Sequence, residues 1–486
     1  MDHSGYIDGA FVSGEGKAFD VDNPSDESVV ATVRGCSLAQ VAGAIAAARR
    51  AFDAGRWNAL PVRERAECLQ RLGQALAKRT DRLIELAVSE AGCPRSSGTM
   101  MAQVRTPLRQ LNEIIDLFLK LPEFEENPLP LHERVNPMGQ VVQSLRRYAP
   151  IGVVAGFGAS NVPFYTELWK AIPALIAGNT VVLRPNQLTP LSALVFGEAA
   201  DEVGLPPGVL NVVIEGGLEG GKLLSTDPAV DMVAFTGSSP VGAQIMAQAA
   251  PTMKRIQLEL GGKSAAIYLP DAVDKATMGA VTVCVAHAGQ GCALGTRIMV
   301  PEQSKPKVLE AMAAAVAKIR QGHASDPDTQ IGPVISAAQR ARCEHFVAAA
   351  IEHGGRVVAG GRRPPQLDRG FYFQPTILDV PDNSNPAAQE EIFGPVVCVL
   401  GYRDLEHAVA MANDSRFGLS GYVYGQDRQA ALKVGLGIRS GTVQINAPIA
   451  SAYASAGGRR MSGIGRERGI EGLRLYQELS VLNMGG

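Results

Sequence analysis

The chain has 486 residues, 46% of them hydrophobic, which is more than one ordinary core accommodates and enough for two or three domains. Its 46 Lys and Arg nearly balance 48 Asp and Glu, so no net field of either sign gathers nucleic acid or anionic lipid. The first twenty residues lack the unbroken apolar stretch of a secretory signal, and later apolar runs stop well short of the roughly 18 residues that span a bilayer; a soluble protein is expected, without export.

Seven cysteines (Cys36, Cys68, Cys93, Cys284, Cys292, Cys343, Cys398) stand singly, with no CxxC pair and no His at zinc spacing. Such a set suits a reducing compartment. A cytoplasmic location and no metal are expected.

From Leu38 to Ala91 apolar residues recur at helical spacing among Arg, Glu and Gln, which predicts an outer layer of amphipathic helices. Leu121 to Leu131, with its prolines and glutamates, interrupts helix. Gln140 to Tyr148, alternating and Arg-rich, predicts an exposed strand. After Pro150, Val/Ile-rich runs alternate with helix-like segments: IGVVAGF, a helix through Trp169, NTVVLRP, a helix through Val203, VLNVVI, VDMVAFTG, a helix over Val241 to Ala249, and RIQLEL. Strands buried on both faces and alternating with helices mean a parallel sheet with crossover helices, the doubly wound nucleotide-binding architecture. From about Lys263 a second α/β segment runs through a helix at Ser304 to Arg320 to about Ala454.

Several residues in this frame are fit for chemistry. Cys292, in Ala288-Gly289-Gln290-Gly291-Cys292-Ala293, lies in a Gly-rich bend whose small residues admit a substrate close to sulfur; an ordinary buried thiol is the alternative. Glu259 ends an apolar strand in LELGGKS, where desolvation raises a carboxyl toward general-base duty; a strand-end salt bridge is the alternative. Asn161 falls between a strand and a helix, suited to donate to an oxyanion or merely to cap the helix. The turn Gly237-Ser238-Ser239-Pro240-Val241-Gly242 joins strand to helix, so its N–H groups suit a pyrophosphate, although two glycines by themselves mean only a tight turn.

In combination these segments resemble the aldehyde dehydrogenase superfamily over almost the whole chain, from Tyr6-Ile7-Asp8-Gly9 to Gly465-Arg466-Glu467-Arg468-Gly469. The matching motifs are LELGGKS, GQGC ending at Cys292, EEIFGPV from Glu390 and FTGS from Phe235, supported by PALIAGNTVVL and MSGIGRERG. The resemblance implies an α/β fold with a Rossmann-like cofactor domain at 1–127 and 151–262, a catalytic domain at 263–454, and a β arm for bridging and oligomerisation at 128–150 and 455–486. It implies NAD or NADP as cofactor, and Cys292 as a nucleophile that forms a hemithioacetal and then a thioester. Asn161 and the Cys292 N–H would hold the oxyanion, Glu259 would activate water, and Lys170 and Glu467 would pass its proton. Gly237, Ser238, Leu260, Glu391 and Phe393 would contact the cofactor, with Glu391 and Phe393 at the nicotinamide riboside.

The chain departs from the family in two places. Where the family has Lys-Pro-Ser-Glu, it has Arg184-Pro185-Asn186-Gln187; loss of the final carboxylate removes repulsion of a 2′-phosphate and Arg184 adds a cation, so NADP is expected beside NAD. Where aromatic residues often line the substrate tunnel, it has Ser160, Val162, Ser451 and Ala456, with Tyr165 and Trp169 remaining, so bulky or long aldehydes are expected, subject to how the loop from Ile449 to Ser455 refills the space. The other reading is a thiol hydrolase with a Cys292–His287 pair. An arm of exposed edge strand needs a partner, so a homodimer or dimer of dimers is expected.

Overall fold

The computed structural model describes residues 3–447 and 451–485. Between Leu38 and Ser89 lie three helices, Leu38–Asp53, Val62–Ala77 and Thr80–Ser89. Their buried faces carry Val41, Ile45, Leu69, Leu72 and Leu83, and the first starts from a capping box in which Ser37 and Gln40 satisfy each other's N–H groups.

They cover an eight-stranded sheet. Its inner strands, in spatial order Arg255–Glu259, Met232–Thr236, Val153–Phe157, Thr180–Arg184 and Leu210–Val213, are all parallel. The run Val153–Phe157 is buried at every position, as a strand covered on both faces requires. From this central strand the chain first proceeds to one side, through Thr180–Arg184 and Leu210–Val213, then returns to the other through Met232–Thr236. The order therefore reverses between Val153–Phe157 and Met232–Thr236, and a crevice opens beyond their carboxyl ends. Gly5–Ile7, Ala10–Val12 and Gly463–Ile464 complete the sheet through antiparallel pairs.

The second sheet has seven strands, in order Arg356–Ala359, Thr376–Asp379, Val396–Tyr402, Arg297–Pro301, Ala265–Tyr268, Ser420–Tyr424 and Thr442–Ile445; only the first runs antiparallel to its neighbour. Leu260–Ser264 is the link between the sheets, leaving the carboxyl end of Arg255–Glu259 and entering the amino end of Ala265–Tyr268. Cys292 and Glu391 each precede a strand of this second sheet, Arg297–Pro301 and Val396–Tyr402. The carboxyl ends of one sheet thus face the amino ends of the other.

A third sheet stands apart: Gln477–Gly485 pairs antiparallel with Val142–Pro150 over nine residues, and Phe124–Glu126 adds to the far edge. Phe124–Glu126 belongs by its pairing to this sheet, although it lies before residue 128. Among the described residues, no helix is long and apolar enough to cross a membrane.

Candidate active site

The helix Pro163–Ile176 follows the central strand and is buried at every residue except Tyr165. This anchoring fixes Asn161 just ahead of it. The Asn161 side-chain amide donates to the Gln290 backbone carbonyl at 2.8 Å, and the Asn161 backbone carbonyl accepts from the Gln103 side-chain amide at 2.7 Å. Asn161 is thereby tied to the bend that carries Cys292.

That bend is shaped by close backbone contacts. Gly289 has φ +72°, and a Cβ there would lie 2.0 Å from the Gly394 carbonyl oxygen, so the Gly289 bend and the EEIFGPV segment interlock. A Cβ on Gly262 would come within 2.6 Å of the Cys292 carbonyl oxygen, which explains a glycine of LELGGKS at this point. Cys292 is the only one of the seven cysteines that is not buried, and all seven are free thiols. Its sulfur lies deep enough that burial, followed by the charges of Glu391 and Glu259, pushes its pKa up to about 12; Arg468 acts in the opposite direction.

Glu259 ends its strand in the same recess. Burial, then the Glu467 charge, raises its carboxyl to about 8, against the opposing pull of Lys170, Arg466 and Arg468. One of its oxygens, Oε1, is buried without a hydrogen-bond partner. Lys170, fully buried on the helix after Asn161, pairs with Glu467 at 2.7 Å. Glu467 also bridges by its backbone to Ala456. Nucleophile, carboxyl, amide and ion pair are therefore drawn together from both sheets.

His287 does not join them as a base. The helix Ala276–Val285 stops before it, its φ is +50°, and both ring nitrogens are buried without a partner. Burial lowers its pKa to about 4, so it is a neutral core ring rather than half of a Cys–His pair.

The model of the aldehyde dehydrogenase family matches residues 11–482. The chain belongs to the aldehyde dehydrogenase family. Betaine aldehyde dehydrogenase of Bacillus subtilis is 33% identical over 490 residues, covering 99% of this chain and 96% of the relative. The solved betaine aldehyde dehydrogenase of Staphylococcus aureus, in a double-mutant form complexed with NAD+, is 33% identical with a TM-score of 0.93, over 100% of this chain and 97% of that one. A mutant of aldehyde dehydrogenase C from Pseudomonas syringae, complexed with NAD+ and octanal, is 35% identical with a TM-score of 0.92, over 99% and 96%.

Family membership makes the chain a nicotinamide-dependent oxidoreductase, and the crevice side of this aldehyde dehydrogenase has features fit for such a group. Ser238 starts the helix Ser239–Ala249 without a side-chain cap and is exposed, leaving first-turn N–H groups for an anion. Gly237 donates to the Glu259 carbonyl at 3.0 Å, and Leu260 is held by the Ser462 carbonyl at 3.0 Å. Glu391 Oε1 accepts from the Gly262 N–H at 3.0 Å, and burial raises its pKa. Phe393 takes φ +60°, its carbonyl held by Gln339 at 2.8 Å. Asn186 folds onto its own turn through the Leu188 N–H, while Gln187 is exposed.

Two partners were missed from sequence. Arg184 does not offer an isolated cation: its guanidinium donates to Glu215 at 2.8 Å and to the Gly217 carbonyl at 2.6 Å. The signal was a Glu just past the strand Leu210–Val213, the next strand over. Arg468, in sequence only one member of the Gly465–Gly469 run, donates to the Tyr165 hydroxyl and lies over the Tyr165 and Trp169 rings, with centroid distances of 5.5 and 5.7 Å.

Proposed function

We propose that this chain oxidises an aldehyde to its carboxylic acid with NAD or NADP, through a thioester on Cys292. The reading rests on one observation above the rest: Cys292, Glu259 and the Lys170–Glu467 pair interact electrostatically in one recess, and Asn161 is bonded to the same bend as the sulfur.

In this mechanism the Cys292 proton passes to the Glu259 carboxylate, which sheds it through Lys170 and Glu467, and the sulfur bonds to the carbonyl carbon while the carbonyl π pair moves onto oxygen. There the Asn161 amide and the Cys292 N–H receive it. The chemistry that a bound nicotinamide supplies is acceptance of the hydride from that carbon. Glu259 then takes a proton from water as the water oxygen attacks the thioester carbon, and the C–S bond breaks, the leaving sulfur taking the proton of the new acid group so that thiol and carboxylate result. Lys170 and Glu467 carry the proton away. Aldehyde, oxidised cofactor and water become carboxylate, reduced cofactor and two protons.

The three sheets support a division into a cofactor domain of 1–127 and 151–262, a catalytic domain of 263–454, and an arm of 128–150 and 455–486, although Phe124–Glu126 pairs into the arm sheet and Gly463–Ile464 into the cofactor sheet. The small residues Ser160, Val162, Ser451 and Ala456 favour bulky or long aldehydes, and a relative solved with octanal is consistent with that. Residues 449 and 450 of the loop that bears on tunnel width lie outside the described residues. Seven free cysteines favour the cytoplasm.

Glu259→Gln separates the two halves of the reaction. On mixing with aldehyde and cofactor, the variant should release at most one equivalent of reduced nicotinamide per active site, more slowly than wild type because the Cys292 proton loses its acceptor, and then turn over about a hundredfold or more slower than wild type. Full steady-state turnover would remove Glu259 from the mechanism.

A further inference from the structure

The recess holds a cation that the reaction above does not use. Arg468 reaches it from a backbone at φ +62°, an unfavourable conformation for a side chain other than glycine. Among the described residues it forms no ion pair within 4 Å. Its hydrogen bond goes to the uncharged Tyr165 hydroxyl, and its Nε is buried with no partner. The neighbouring Arg466 is different, because its guanidinium is used up on Gly441, Ser455 and Gly457.

Among the described residues no carboxylate touches Arg468; burial opposes its charge, while Tyr165, Glu467 and Glu259 together hold its pKa above the ordinary value. Glu467 is taken by Lys170, and Glu259, with a carboxyl at about 8, is mostly protonated at neutral pH. Glu391 is bound to the Gly262 N–H in the link between the sheets. A half-buried guanidinium with no carboxylate against it is free to take a direct anionic partner. The guanidinium also sits on Tyr165 and Trp169, and Tyr165 is the sole residue of its helix that is not buried. Its field reaches the Cys292 sulfur. An aldehyde held at Cys292 therefore extends within the range of Arg468.

Resting on the oxidation reading, we propose that Arg468 receives a carboxylate carried by the substrate, so that the preferred substrates are aldehydes with a carboxylate at the other end, the semialdehydes of dicarboxylic acids. A planar guanidinium edge with an unused Nε–H suits a planar carboxylate. One cation matches one negative charge, which favours a monocarboxylate over a phosphate dianion.

The test is a series of dicarboxylic semialdehydes of increasing length, each beside its uncharged methyl ester, assayed by reduced-cofactor absorbance. In wild type the acid should exceed the ester in kcat/KM by about tenfold or more at one length at least. Arg468→Leu should bring that ratio to about one, and Arg468→Lys should retain part of it. Equal ratios in wild type at every length, or a ratio unchanged in Arg468→Leu, would overturn the proposal while leaving ester oxidation, and so the general reading, intact. If neither acid nor ester is oxidised, the oxidation reading fails and this proposal with it. Should the variants not fold, inhibition of wild type by the dicarboxylate product against its monomethyl ester gives the same comparison; equal inhibition would count against Arg468 as the receptor.

Discussion

Lys170→Met and Glu467→Gln delete opposite charges from one ion pair, so they should move the titration of Glu259 in opposite directions. The pair is 2.7 Å apart, with the two side chains only 0% and 13% exposed, so solvent screens it little. Glu467 is the charge that most raises Glu259, and Lys170 is the charge that most lowers it. A unit charge roughly 10 Å away through an effective dielectric of about 20 is worth about 1.7 kcal/mol, somewhat more than one pH unit. The base form of Glu259 exists above its pKa, so where thioester hydrolysis limits turnover, kcat should rise with pH through a midpoint near 8. Loss of the Lys170 cation makes the Glu259 anion harder to form, which moves the midpoint up by about one unit. Loss of the Glu467 anion, with Lys170 still present, moves it down by about as much. The assay is kcat against pH with a substrate that gives a burst of reduced cofactor. Chemical denaturation should accompany it, since breaking a buried pair costs about 3–5 kcal/mol of stability. Two midpoints that stay in place, or move in the same direction, would refute the electrostatic account of this site.

Three further outcomes can be checked. Iodoacetamide under native conditions should label Cys292 ahead of the six buried cysteines, with a rate that climbs about tenfold per pH unit through neutrality because the thiol titrates near 12; peptide mass spectrometry reads the site, and a rate that levels off near neutral pH would contradict the raised pKa. On the reading that Arg184, Asn186 and Gln187 face the adenine ribose, the Arg184–Glu215 pair leaves no net charge there, so kcat/KM for NAD and NADP should lie within about a hundredfold, roughly 3 kcal/mol, and Glu215→Gln should shift the ratio toward NADP; a larger NAD preference, or no shift, would refute it. Leu479, Val481, Leu482 and Met484 are exposed on the terminal strand, so sedimentation should give a dimer or dimer of dimers that is lost on deletion after Tyr476; a stable intact monomer would refute it.

What the sequence made legible follows the range of the interactions. IGVVAGF, NTVVLRP, VDMVAFTG and RIQLEL are strands where expected, because burial on both faces writes itself into consecutive residues. Phe124–Glu126 reads as a helix breaker, and its strand character comes only from pairing with Val142–Pro150. Nothing local announces that the helix Ala276–Val285 ends short of His287, where His287 and Ala288 both take positive φ as the chain turns into the Gly-rich bend. In the site, motif residues were legible singly. The Arg184–Glu215 and Arg468–Tyr165 contacts were not, since their members lie 31 and 303 positions apart and nothing local encodes the meeting.

The same electrostatics bear on how the thiol is activated. With Cys292 at about 12 and Glu259 at about 8, the difference of about 4 units means that moving the proton from sulfur to carboxylate costs on the order of 5 kcal/mol. A turnover of about 10 per second corresponds to a barrier of about 16 kcal/mol, so this transfer fits beneath it with room for carbon–sulfur bond formation. No standing thiolate is needed. A carboxyl at an ordinary 4.5 would widen the gap to about 7.5 units, roughly 10 kcal/mol, and leave little of that barrier for the chemistry. The burial that makes Glu259 a stronger base for water therefore also brings it within reach of the Cys292 proton.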